Sequence, residues 1–141
     1  MPPGPTYAIK AEIPDPAAAT FVFSRQKTMY GGKHVRAGDV IFLFASENEG
    51  GHGLIARGVV TAVEAVPRIP GVDRQTPRIS LSVRRTATAT RPLGRRELKP
   101  FADPRDGAPA AELNFKFYRQ ATNKVVCLSD EAAAFLDGHF I

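Results

Sequence analysis

Within seven residues, Ser24-Arg25-Gln26-Lys27-Thr28-Met29-Tyr30 gathers a guanidinium, an amide, an ammonium, hydroxyls and one aromatic face. These are the groups with which a protein stacks a nucleobase and reads its hydrogen-bonding edge. Lys33 and His34 extend the patch with side chains suited to phosphate. A second constellation is Ser46, Glu47, Asn48, Glu49 and His52. Asn48 can offer both a donor and an acceptor to a base. Glu47, Glu49 and His52 are metal-capable types, but glycines make their loop pliable and no Cys or His cluster accompanies them. We expect no metal and no cofactor. A third run, Phe115-Lys116-Phe117-Tyr118-Arg119, interleaves aromatics with bases, and Asn114 and Tyr118 are its candidate ligand contacts. As a strand, that run would bury alternate aromatics in a core instead. Cys127, inside Val125–Leu128, reads as a small buried hydrophobe, and a single cysteine excludes an internal disulfide or a thiolate zinc cluster. No catalytic residue is assigned.

The charge is unevenly placed. The chain carries a net +5, yet residues 68–105 alone carry +7, with nine arginines, one lysine and three acids. The planar arginine fork suits phosphate better than a compact ammonium does. Such a segment attracts a polyanion by releasing its counterions. With Lys33 and His34, we take Arg84, Arg85, Arg95 and Arg96 as candidate phosphate contacts. A solvated basic face is the plainer alternative.

The elements that must position these groups are short. At 141 residues the chain is one domain, residues 1–141, with enough length for a conventional core. Twelve prolines and twelve glycines favour many short elements joined by turns. Strands are expected at Thr6–Glu12, Val40–Phe44, Leu54–Val66, Ile79–Val83 and Val125–Leu128; Phe21-Val22-Phe23 is strand-like but short. Gly58 marks a bulge or a close backbone approach. Ser24–His34 reads as a loop, Pro67–Pro77 as a long connection, and Leu113–Tyr118 as irregular or a strand. A short helix is expected through Ala17–Ala19 after Asp15-Pro16, one turn at Arg95–Lys99, and a closing helix at Asp130–Leu136 capped by Ser129. About six strands and two or three short helices, with turn residues in most gaps, point to an α+β chain. The best fit is a small, mostly antiparallel barrel with peripheral helices. The longest apolar run has six residues, against about 20 for a membrane span. Together with a start that lacks signal-peptide character, this leads us to expect a cytoplasmic protein with no membrane partner.

The order of these pieces resembles a known superfamily. Thr6–Glu12 leads through a basic segment to Ala37-Gly38-Asp39 and Val40–Ser46, then a glycine loop and Gly53-Leu54-Ile55-Ala56-Arg57-Gly58-Val59-Val60. That order is similar to the PUA-like superfamily, which holds the EVE, ASCH, YTH and PUA domains. Val40–Val60 resembles the YTH and EVE core. Gln26-Lys27-Thr28 and Arg36-Ala37-Gly38-Asp39 resemble the lysine-threonine segment and Gly-Asp turn of ASCH domains. The stretch 114–136 sits where EVE and YTH domains place similar elements. The resemblance implies a small PUA-like barrel that binds nucleic acid, with one modified base held in a pocket. Ser46 would face the pocket mouth, and the Ser24–Tyr30 segment would line it. The chain has no tryptophan, so the tryptophan-containing cage with which YTH domains grip methylated adenine does not carry over.

Three readings follow. In the first, the chain is a nucleic-acid-binding module for RNA or modified DNA, whose pocket holds a base while the arginine-rich segment grips the backbone. In the second, it is an ASCH-like hydrolase of a small nucleoside amide, with Lys27 as base, Thr28 as nucleophile and Glu64 tuning the lysine. Adjacent residues of an extended segment point to opposite sides, which argues against that pair. In the third, it is a non-catalytic protein-interaction domain whose basic segment meets an acidic surface.

Overall fold

A computed structural model describes residues 4–103, 105, 107–119 and 122–140. Six strands make a closed barrel: β1 (Thr6–Ala11), β2 (Thr20–Met29), β3 (Val40–Ala45), β4 (Gly53–Ala65), β5 (Arg78–Thr88) and β6 (Lys124–Leu128). Their order around the barrel is β1-β3-β4-β5-β2-β6. The β1–β3 and β2–β6 pairs are parallel and the other four antiparallel. The barrel closes between β2 and β6 through two residue pairs, Thr28 with Val125 and Met29 with Val126. Three helices lie outside: α1 (Arg95–Leu98), α2 (Pro109–Asn114), continued by a π turn at Phe115–Arg119, and α3 (Asp130–Asp137). The fold is the expected small, mostly antiparallel α+β barrel.

The barrel interior is filled by alternate residues, among them Tyr7, Ile9, Phe21, Phe23, Ile41, Leu43, Leu81, Val83 and Val125. The opposite faces of β1, β3 and β6 are buried as well, where Ala8, Phe42, Phe44 and Val126 pack against Leu98, Leu113, Phe117 and Leu136. Strands covered on both faces need continuous apolar runs, which is why Val40–Ala45 contains no polar residue. By contrast, β5 alternates because its outer face meets solvent. The expected bulge at Gly58 is present, in register shifts where β4 passes β5. Ser129 caps α3 as expected, its Oγ accepting from the Ala132 amide at 3.1 Å.

Four expectations need correction. The segment Ala17–Ala19 is a turn rather than a helix. The Ala17 amide donates to Asp15 Oδ1 at 3.1 Å, and Arg85 takes the Ala18 carbonyl at 2.9 Å as well as that of Pro16. Those carbonyls would have been helix acceptors. Second, much of Ser24–His34 is strand: β2 runs to Met29, and only a bulge interrupts its pairing with β5 between Phe23 and Gln26. Its polar composition reflects one solvated face. Third, Leu113–Tyr118 is helical, started by Pro109 in the first turn, where its missing amide costs nothing. Finally, Cys127 is only half-buried. It shares the inward face of Val125 and packs against the barrel interior, but its side chain is covered only in part.

Candidate functional site

Two groups of side chains stand out. The first lies on the outer face of β1, β3 and β6, beneath the π turn. Lys10 on β1 is fully buried, donates from Nζ to the Phe117 carbonyl at 2.7 Å, and stands 4.9 Å from the centroid of the Tyr118 ring. Across the β1–β6 pair is Lys124, also fully buried, which donates to the Thr122 carbonyl at 2.8 Å. Burial pushes the Lys10 ammonium below its ordinary value, with Glu47 opposing and Arg95 reinforcing the shift. Lys124 is pushed down to about 8, by burial first and then by the charges of Lys10 and Lys27. Ser46, one residue past β3, is 1% exposed, and its hydroxyl makes no hydrogen bond among the described residues. A buried hydroxyl without a partner costs about 1–3 kcal/mol, so its presence calls for an explanation.

Glu47 ties this group together. Its carboxylate accepts from the Tyr118 hydroxyl at 3.1 Å and from the Arg95 amide at 2.7 Å. Arg95 then reaches Asn48 Oδ1 at 2.8 Å, with its guanidinium 6.0 Å from the Tyr118 ring centroid. Burial and the Glu47 charge both raise the Tyr118 phenol above its ordinary value, so it stays a donor at neutral pH. The second group is a groove of about 870 Å³ between the β2 bulge and the connection 66–77. A smaller hollow beside it is lined by Arg25, Gln26, Lys27, Arg78, Thr122 and Asn123.

The fold resembles solved structures over almost its whole length. Human THYN1 protein, solved in complex with 5-methylcytosine-containing DNA, superposes with a TM-score of 0.61 at 15% identity, over 94% of this chain and 95% of that one. The DUF55 domain of human thymocyte nuclear protein 1 gives 0.61 at 15%, over 92% and 95%. A hypothetical protein from Leishmania major gives 0.58 at 17%, over 96% and 94%. This chain has a small PUA-like barrel fold. No protein-family model and no curated protein sequence matches it.

In this PUA-like barrel the candidate residues separate. Ser46, Asn48, Tyr118 and Arg95 come together. Ser24, Arg25, Gln26 and Lys27 lie instead along β2, where Arg25 and Lys27 line the groove and Gln26 the smaller hollow. There the Gln26 amide donates to the Ser24 carbonyl at 2.9 Å, and the Arg25 carbonyl accepts from Arg78 at 2.7 Å. Lys33 lines the groove, whereas His34 is exposed. Tyr30 lies apart from both groups, its ring 5.7 Å from that of Phe115. Two candidates are engaged by the fold itself: Thr28 donates to the Pro77 carbonyl at 2.8 Å, and Asn114 donates to the Leu98 carbonyl at 2.6 Å. Arg85 is likewise held by backbone carbonyls, while Arg84 and Arg96 are exposed. Thr28 is buried and Lys27 half-buried on successive positions of β2, so the two do not converge as a base and nucleophile would. Among the described residues no group of three or more His, Cys, Asp or Glu could hold a metal ion.

The sequence pointed to Ser46 and Tyr118 but not to Lys10, Lys124 or the bridging role of Glu47. One signal was available: Lys10 interrupts the apolar run Tyr7–Ala11, and Lys124 opens the otherwise apolar β6.

Proposed function

We propose that this chain binds nucleic acid and holds a single modified base against Ser46 and Tyr118, with Arg95 and Arg96 on the flanking phosphates. The observation that carries the reading is the buried Ser46 hydroxyl, without a partner among the described residues, next in the chain to the Glu47 that fixes the Tyr118 phenol. A hydroxyl can donate to or accept from a base edge, and a fixed aromatic ring gives a stacking face. Lys10 and Lys124 lie buried on the same face, opposite each other on the β1–β6 pair. The similarity to a protein solved with 5-methylcytosine-containing DNA supports the reading and makes that base the first to test.

The test is fluorescence anisotropy with DNA and RNA oligonucleotides, plain and base-modified, at low and moderate salt. The expected result is salt-sensitive binding that strengthens for one modified base and loses that preference in Ser46→Ala. Binding indifferent to modification removes the base pocket and leaves a backbone binder. No binding at low salt removes the nucleic-acid reading altogether.

A further inference from the structure

The larger groove has a composition of its own. Arg25, Lys27, Lys33, Arg68, Arg74 and Arg78 line it, and among the described residues no acidic side chain does. Only three of these, Arg68, Arg74 and Arg78, belong to the arginine-rich segment. The fold brings the other three to them from β2 and from the turn that follows it. Between the cations lie Val66, Ile69 and several prolines, so the walls are apolar and rigid.

The groove is also built. Gln75 organises the connection that forms one wall: its side-chain nitrogen donates to the carbonyls of Ile69 at 2.7 Å and Val72 at 2.8 Å, and its oxygen accepts from the Ile69 amide at 2.8 Å. The β2 bulge forms the opposite wall. There Arg25 adopts a left-handed backbone (φ 54°), which costs a non-glycine residue about 1–2 kcal/mol. The strained turn is pinned from both sides, by the Arg25 amide donating to Ser80 Oγ at 3.0 Å and by Arg78 donating to the Arg25 carbonyl at 2.7 Å. Bulges of this kind re-aim side chains, and this one sets Arg25 and Lys27 on the groove.

The groove adjoins the smaller hollow. Arg25, Lys27 and Arg78 line both it and the smaller hollow, whose far side is Thr122 and Asn123. Asn123 donates to Glu49, next along the chain from the Asn48 that holds Arg95. The groove and the hollow thus adjoin, and Asn123 on the hollow is hydrogen-bonded to the Glu49 that follows Ser46, Glu47 and Asn48 in the chain.

We propose that this groove is the path of a polynucleotide strand, which lays successive phosphodiesters along Lys27, Lys33, Arg74 and their neighbours while a base several nucleotides away occupies the Ser46–Tyr118 site. The proposal rests on the nucleic-acid reading above and adds where the strand runs. Charge complementarity selects a polyanion, and a course longer than one nucleotide selects a chain over a free nucleotide. Apolar walls suit bases or sugars that face inward between phosphate contacts.

The test uses the whole chain and fluorescein-labelled single strands of DNA and of RNA, about 12 nucleotides long, together with a nucleoside triphosphate as competitor. The variant is Lys27→Gln/Lys33→Gln/Arg74→Gln. None of these three side chains makes a hydrogen bond or ion pair among the described residues, so folding is expected to survive, and a melting curve checks this. Each single-strand phosphate contact contributes about 0.7 to the slope of log K against log salt. Loss of three contacts lowers the slope by about 2. Between about 50 and 200 mM salt, wild type then loses about 15–20-fold more affinity than the variant. The preference between modified and plain base stays unchanged, and a charge-conserving Lys27→Arg/Lys33→Arg/Arg74→Lys variant restores the slope. If wild type binds strands but the neutral variant keeps its slope, the groove is not the path and the base-site reading stands. A triphosphate that competes as strongly as the strand also overturns the proposal. If wild type binds no strand at low salt, both readings fall together.

Discussion

Lys10 and Lys124 stand directly across from each other on β1 and β6, and both are completely buried. Like charges opposite one another in a sheet are destabilising, and so is burial of each ammonium. For Lys124 the folded value is about 8 against 10.5 for the exposed group. Between those values the unfolded chain binds more protons, so stability rises with pH, and below about 8 the penalty is present in full. Buried Tyr7 and Tyr118 are shifted upward and act with the opposite sign once pH passes their ordinary value of 10.0. Urea unfolding is therefore expected to show stability rising by about 1–2 kcal/mol from pH ~8 to ~10 and then levelling. In Lys124→Met the rise is largely absent. A flat wild-type profile over that window would contradict the buried, partly neutralised lysine.

Ser46→Ala separates stability from binding. In the unliganded protein the hydroxyl is buried and makes no hydrogen bond among the described residues. Its removal is expected to leave stability unchanged or raise it by about 1 kcal/mol. If the hydroxyl reads a base edge, the same change weakens binding of the preferred base by about 5–10-fold, worth about 1–1.5 kcal/mol. Calorimetric melting and titration of one sample read both. Loss of stability with no change in binding would make Ser46 a structural residue.

The barrel was legible because its strands differ from their surroundings in ways a sequence displays. Val40–Ala45 is branched and aromatic between turn signals, and Ile79–Val83 alternates because one face of β5 is wet. The second half of β2 was missed because Ser24 to Lys27 sit at or beside a bulge on a solvated face, where nothing apolar marks the pleat. The aromatic run Phe115–Tyr118 misled for the reverse reason. Phe117 is buried against Phe44, centroids 5.0 Å apart, while Phe115 and Tyr118 are only half-buried, a distribution produced by a π turn and not by alternation. At the site, residue type named Tyr118, and the family resemblance named Ser46. Only the barrel closure shows that the β2 residues join a different surface, and only the β1–β6 register places two lysines face to face.

Gly58 tests the bulge. A Cβ there would fall 2.5 Å from Val83 Cγ1 and 2.6 Å from the Arg84 carbonyl oxygen. Both neighbours are locked in β5, so the strands must part. Gly58→Ala is expected to cost about 2–4 kcal/mol in denaturant unfolding. Gly50→Ala is the contrast: its Cβ meets nothing within 4 Å, but its φ of +84° is costly for alanine, giving about 1 kcal/mol. Equal losses at the two sites would mean that strain alone, and not the β4–β5 approach, sets the cost.

Arg85 and Arg96 should divide by role although both lie in the basic segment. Arg85 donates to the carbonyls of Ala18 and Pro16 and to Thr88 Oγ1, and its guanidinium is 5.2 Å from the Phe21 ring centroid. Arg85→Ala therefore frees the turn before β2 and is expected to cost about 1–3 kcal/mol of stability. Its effect on the salt slope of binding should be small, because its donors already have acceptors. Arg96 is exposed and makes no hydrogen bond or ion pair among the described residues. Arg96→Ala is expected to change stability by less than about 0.5 kcal/mol. If it contacts a phosphate, the salt slope falls by about 0.7 and all sequences weaken alike. Urea unfolding and anisotropy at several salt concentrations, run on both variants, give the comparison. If both arginines lower the slope equally, the carbonyl contacts of Arg85 yield to phosphate on binding, and the polyanion's footprint extends across β5 to the start of β2.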